Sequence, residues 1–198
     1  MIMIKILIFL MFIINTFSQD CLMIRGGGFS GFWYFYKKSN IINKKDKVYC
    51  VSSGCLAIVS NIKNNDFNRT VASVLTIKDL YKNKNISLFD VREKFIDNII
   101  DIPIHEYNIN IITSTYFGKC NIKRAYTSSE LKKYLLETSN IPLITSKLNF
   151  KNNIDGVFCK LDQPTCNTVY SIPKTPMFLL NILNPHISVD DVKYFYNY

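Results

Sequence analysis

No Cys-x-x-Cys pair occurs in this chain, and its histidines number 2, His105 and His186. Zinc sites draw on closely spaced cysteines and histidines, so no metal centre is expected. The formal net charge is +9, yet no basic stripe interleaved with aromatics accompanies it, and no zinc-finger or RNA-binding signature appears. Nucleic acid is therefore not an expected partner. The lysines are scattered, as in "KKSNIINKKDK" from Lys37 to Lys47. They read as a solvated surface, with attraction to an anionic membrane surface as the sharper alternative. There is no internal repeat and no low-complexity linker. Charged residues make up 20% against 48% hydrophobic, which excludes a disordered composition. Alanine is scarce beside abundant Ile, Asn, Lys, Phe and Tyr, the bias that an AT-rich genome imposes.

An apolar run of comfortable membrane-spanning length is missing as well. "ILIFLMFII" follows Lys5 and is too short. With Thr16 and Ser18 in the small-residue positions, residues 1–18 read as a secretory signal peptide, cleaved before Gln19. A retained anchor is the rival, but "CLMI" starts a strand almost at once and leaves no tether. Residues 19–198 suit one domain able to bury a core. The expected location is the secretory pathway or the cell exterior, with membrane association if the leader is retained. All six cysteines, Cys21, Cys50, Cys55, Cys120, Cys159 and Cys166, lie in this part. Their even number in a secreted chain allows disulfides and leaves the connectivity open. Cys159 and Cys166 are spaced to close a local loop. Cys50 and Cys55 read as small buried hydrophobes rather than partners. "NRT" at Asn68 and "NIS" at Asn85 are glycosylation sequons, meaningful if the leader is real.

Strand and helix patterns alternate. "CLMI" is a buried-type strand ending in "RGGGFSG", and "FWYFYKK" begins a helix whose Phe32, Trp33, Phe35 and Tyr36 are core. "KVYCV" is a second strand, followed by the helix "SGCLAIVSNI". "SLFDVREKFIDNII" places Leu88, Val91, Phe95, Ile96 and Ile99 at helical spacing, with Ser87 and Asp90 forming a capping box. "NINIITSTYF" alternates like a strand. "TSSELKKYLLETS" is a capped helix with Leu131, Tyr134 and Leu135 on one face, and "SVDDVKYFY" is another. "NNIDGVF" reads as a turn or strand end. The class is α/β with a largely parallel central sheet.

"GGGFSG" satisfies G-x-G-x-x-G through Gly26, Gly28 and Gly31, after a strand and before a helix. A dinucleotide site also needs an acid at the end of the next strand, to hold the ribose. That strand ends "VYCVSSG", without one. The other use of such glycines is an oxyanion hole, in which backbone N–H groups converge beside a helix N-terminus. Ser52 stands where strand meets helix, at the nucleophile-elbow position, with Gly54 where a side chain would collide. The plain alternative is a serine that caps the helix. Ser53 competes as nucleophile, but as the first helical residue its hydroxyl is expected to point away. A serine needs a base, and neither histidine sits in a suggestive context. Asp155 in "NIDGVF" is the candidate, with Gly156 making the turn. An ordinary aspartate, with a pKa of about 3.9, is a weak base. Asp155 therefore needs burial and a direct hydrogen bond to Ser52.

Glycine cluster, serine elbow and Asp-Gly, in that order, resemble the patatin-like phospholipases, lipid acyl hydrolases with a Ser-Asp dyad. The resemblance runs from Cys21 to Tyr198 and takes in "TSSELKKYLLETSNIPLI" and the closing "PKTPMFLLNILNPHISVDDVKYFY". It implies a three-layer α/β/α sandwich, with Ser52 as nucleophile and Asp155 as general base. It implies an oxyanion hole of Gly26, Gly27 and Gly28, with Gly31 closing the motif, and no cofactor or metal. The partner would be a lipid ester, met at a membrane or micelle interface. No obligate protein partner is indicated. Three positions depart from the family pattern: Cys50 replaces the first elbow glycine, Ser30 stands where many members carry a basic residue, and Val157 follows Asp-Gly. The altered elbow leaves a second reading, a patatin-fold pseudoenzyme that binds lipid or a protein partner.

Overall fold

The computed structural model describes residues 19–84, 86–142, 144, 153–160, 163–184 and 188–198. The expected leader, the sequon residue Asn85 and His186 lie outside them. Among the described residues six strands form one sheet: β1 (Gln19–Ile24), β2 (Val48–Val51), β3 (Ile109–Ser114), β4 (Cys120–Arg124), β5 (Ile154–Asp155) and β6 (Cys166–Tyr170). The order is β4-β3-β2-β1-β6, with β5 paired to β3. β1 runs parallel to β2 and β6, and β2 parallel to β3. β4 and β5 pair antiparallel with β3. The chain is thus α/β with a mostly parallel sheet.

The inner strands β2 and β3 are short, nearly fully buried runs, as parallel strands inside a sheet usually are, whereas β4 and β6 at the edges carry polar and exposed residues. Strand side chains still divide by alternation. Ile24, Val48, Cys50, Ile109 and Ile111 join the large core. Met23, Tyr49, Val51 and Ile112 join a smaller one, with Cys21, Cys159 and Cys166. Most buried apolar side chains of the helices belong to the large core, Phe35, Ile58, Ile96, Leu131 and Phe195 among them.

Those helices are α1 (Gly28–Lys38), α2 (Ser53–Lys63), α3 (Phe67–Lys84), α4 (Leu88–Ile99), α5 (Ser128–Thr138), α6 (Pro176–Leu180) and α7 (Val189–Asn197). Phe32, Trp33, Phe35 and Tyr36 are buried on α1. The expected capping boxes are present at Ser87–Asp90, and equivalent ones start α5 and α7 at Thr127–Glu130 and Ser188–Asp191. α1 begins earlier than its hydrophobic pattern indicates. Gly28 takes a left-handed φ of 57° as its first residue, and the Phe29 N–H donates to the Ile182 carbonyl at 2.8 Å. That backbone would be strained for any residue with a Cβ. α3 has no counterpart in the sequence reading. Asp66 starts it, accepting from the N–H groups of Asn68 and Arg69.

The cysteine expectations fail in two places. Cys50 and Cys55 are buried as expected but bonded to each other. α2 starts so soon after β2 that its first turn folds back over the strand end, leaving 5.0 Å between the two Cα atoms, ordinary disulfide geometry. Cys159 and Cys166 do not pair. β6 inserts beside β1 in register Gln19↔Cys166, so Cys166 bonds Cys21, and Cys159 bonds Cys120 of β4. The sequon residue Asn68 lies exposed in the first turn of α3.

Candidate active site

The register of β1, β2 and β3 brings Ile24, Cys50 and Ile111 level. The segments leaving their carboxyl ends therefore meet: the glycine loop after β1, the turn at Ser52 after β2, and the end of β3. Open α/β sheets collect their binding sites at this edge.

Ser52 joins β2 to α2 with φ 53° and ψ −128°, and among the described residues it alone combines a side chain with positive φ. Strained backbone of this kind persists only where its surroundings hold it. Here its N–H donates to Thr138 Oγ1 at 2.9 Å, and Thr138 Oγ1 donates on to the Ile112 carbonyl at 2.6 Å. Gly54 completes the turn, since a Cβ there would lie 2.6 Å from the Arg25 carbonyl oxygen. Ser52 makes no side-chain cap bond to α2. Its hydroxyl donates instead to Asp155 Oδ2 at 2.5 Å, across 103 residues of sequence.

Asp155 reaches Ser52 because β5 pairs it with Thr113. Gly156 follows against β3, where a Cβ would lie 2.3 Å from the Ile112 carbonyl oxygen. The Asp155 carboxyl is fully buried. Its Oδ1 accepts from the Val157 N–H at 2.9 Å. Burial pushes its pKa up to about 7, outweighing the downward pull of the Ser52 and Val157 hydrogen bonds and of the Arg92 charge. Burial in turn lowers Arg92 to about 10. Arg92 Nη1 donates to the Ser139 carbonyl at 2.7 Å.

The glycine loop is divided in its duties. Gly26 lies against Ser52, where an added Cβ would be 2.9 Å from the serine Cβ and 3.6 Å from its Oγ. The Gly27 N–H donates to Ser53 Oγ at 2.9 Å. Ser53 therefore does not point away as expected; it ties the loop to α2, and the expected oxyanion donor Gly27 is already committed. Among the described residues the N–H groups of Gly26 and Gly28 donate to no protein acceptor. The N–H of Ser53, first in α2, has no intrahelical acceptor. Gly31 sits inside α1, its N–H donating to the Gly27 carbonyl. Ser30 is buried, its hydroxyl donating to the Phe178 carbonyl at 2.9 Å.

Ser52 opens into a cavity of about 200 Å³. Its walls are apolar, with Phe32 and Trp33 of α1, Val71 and Val74 of α3 and Phe95 of α4 among them, and Lys78 and Arg92 as its cations. The sequence reading missed Arg92, Thr138 and α3. Arg92 is one turn from Leu88 on the apolar face of α4, and Thr138 follows Leu131 and Leu135 at helical spacing. Comparison with family models, curated proteins and solved structures finds no significant match, so the functional class rests on the site itself.

Proposed function

We propose that this chain is a serine-dependent carboxylic ester hydrolase acting on lipid esters, of the patatin-like kind, in which Ser52 and Asp155 form the dyad. The observation that carries the reading is the Ser52 Oγ–Asp155 Oδ2 hydrogen bond of 2.5 Å at an apolar cavity, made by a serine at φ 53° that caps nothing. Buried Asp155 with a pKa of about 7 is tuned to act as a base near neutral pH, where proton transfer is most effective.

In this mechanism an acyl chain lies along the cavity wall of α1, α3 and α4. Asp155 takes the hydroxyl proton as Ser52 Oγ attacks the ester carbonyl. The resulting oxyanion is met by the N–H groups of Gly26, Gly28 and Ser53. Asp155 returns the proton to the leaving alcohol, and the acyl-serine forms. Water then attacks the acyl-serine with Asp155 again as base, releasing the fatty acid and restoring Ser52. Each preorganised oxyanion donor contributes about 10²–10³ in rate, so the commitment of Gly27 leaves room for substantial catalysis.

The reading includes a three-layer α/β/α sandwich over residues 19–198, with a cleaved leader at 1–18 and delivery into the secretory pathway. Buried clusters on both faces of the sheet support the layering, and three disulfides suit an oxidising compartment. The test is fatty-acid release from mixed phospholipid vesicles by residues 19–198, beside Ser52→Ala and Asp155→Ala. Release by wild type and near-complete loss in both variants is expected. A folded but inactive wild type would overturn the hydrolase and favour the pseudoenzyme that binds lipid or a protein partner.

A further inference from the structure

We propose that the lip of the Ser52 cavity, from α6 to Leu183, is a docking surface for an anionic lipid surface; this rests on the hydrolase reading and names the partner of that site. The segment Pro176–Leu183 carries Leu179, Leu180 and Leu183, exposed by 51%, 80% and 50%. Beneath them Phe178 is buried and anchors α6. The following turn is tied to the active site, because the Ile182 carbonyl accepts the Phe29 N–H at 2.8 Å and Ile182 and Leu183 line the cavity. Phe29 and Ile144 line it too and are themselves exposed. The apolar surface is thus continuous from solvent, over the lip, to Ser52.

Two observations select a lipid surface over a protein partner or a second copy of the chain. The first is shape. Phe117, in the turn leaving the carboxyl end of β3, is 93% exposed, and its neighbour Gly118 accepts the Lys160 N–H beside exposed Phe158. β3 runs parallel to its neighbours through β2 and β1 to β6, so this second cluster lies at the same end of the sheet as the α6 lip. Apolar groups at both margins of one end fit a broad, flat partner. The second is charge. The chain carries +9, exposed Arg25 directly precedes the glycine loop, exposed Lys174 stands two residues before α6, and Lys78 lines the cavity. Cations around an apolar lip are what an anionic headgroup layer over acyl chains attracts. A partner seated there would also need to feed the cavity, which a lipid layer does.

The test measures binding with the Ser52→Ala protein, which consumes no lipid. Vesicles of phosphatidylcholine, and of phosphatidylcholine mixed equally with phosphatidylglycerol, are sedimented and the bound fraction read. Binding to the mixed vesicles is expected, with weaker binding to phosphatidylcholine alone. Adding Leu179→Glu and Leu180→Glu is expected to weaken it by about tenfold or more, from the apolar area withheld from lipid. Phe117→Glu, in a separate turn, is expected to weaken it in the same direction. Unchanged melting temperatures check the fold. Equal binding by the lip variant, or no binding by the parent, overturns the proposal. So does self-association that the lip variant abolishes while vesicle binding persists. Since the readout is binding by an inactive protein, loss of the hydrolase reading and loss of this one are told apart.

Discussion

Replacing Asp155 by Asn tests the electrostatics of the site without reference to any substrate. Asn keeps the shape of the side chain, and its amide oxygen can still accept the Val157 N–H. What disappears is a carboxyl that burial has pushed from 3.8 up to about 7. Such a group binds its proton more tightly in the folded than in the unfolded chain. Wild type therefore loses stability as pH rises from the unfolded toward the folded value. With those two values, ionisation costs the fold about 2 kcal/mol at pH 5 and about 4 kcal/mol at pH 8, a difference of about 2–3 kcal/mol. Asp155→Asn removes this dependence. Other groups titrate over the same range, but they are common to both proteins and cancel in the comparison. The assay is urea denaturation at pH 5 and pH 8, disulfides intact. The stability of the variant relative to wild type is expected to rise by about 2–3 kcal/mol between the two pH values. A relative stability that is the same at both would refute the buried, pKa-raised aspartate, and with it the reason Asp155 can serve as a base.

The same carboxyl sets the rate profile: kcat/KM on a lipid ester should rise with pH and level off through a midpoint near 7, as Asp155 loses its proton. Ser52→Gly and Ser52→Ala both remove the hydroxyl and should be equally inactive. The glycine protein should be more stable by about 1 kcal/mol, since φ 53° is strained for alanine; thermal denaturation of the pair decides. Thr138→Val leaves the Ser52 N–H and the Ile112 carbonyl without the partner they share. It should lower stability by about 1–3 kcal/mol and reduce kcat more than it raises KM, measured by urea melts and steady-state kinetics.

Strands β1, β2 and β3, and the residues of the Ser52–Asp155 hydrogen bond, were legible in the sequence for local reasons. Short apolar runs ending in glycines, and serines placed three residues before acids, act within a few residues of themselves. The structure keeps them. Ser52 and Asp155 were legible because each carries its own turn chemistry, Gly54 and Gly156, at places where the end of β1 and β3 leave no room for a Cβ. What escaped depends on contacts between distant segments. α3 is largely polar outside its Val71, Val74 and Leu75 stripe, and that stripe gains meaning only as the wall of a cavity. The pairing of Cys166 with Cys21 follows from strand order, which no local pattern encodes. Arg92 reads as one more charge on a charged helix until Asp155 is placed near it.

The departure at Cys50 shows how much of a motif is geometry and how much is residue type. In G-x-S-x-G the first glycine keeps bulk away from the serine turn. Strand alternation directs Cys50 into the large core with Ile24, Val48 and Ile111, where it bonds Cys55 in the first turn of α2. Its side chain therefore lies beneath the elbow rather than beside Ser52 Oγ. The close approaches that the turn does require fall on Gly54 against Arg25 and on Gly26 against Ser52, and both positions are glycine. The disulfide also joins the residues on either side of the strained serine, adding covalent support to the Thr138 bond that holds its backbone. On this reading the cysteine is compatible with a working elbow, and the commitment of the Gly27 N–H to Ser53 is the larger difference from the expected site. It moves the burden of meeting an oxyanion onto Gly26, Gly28 and the first N–H of α2.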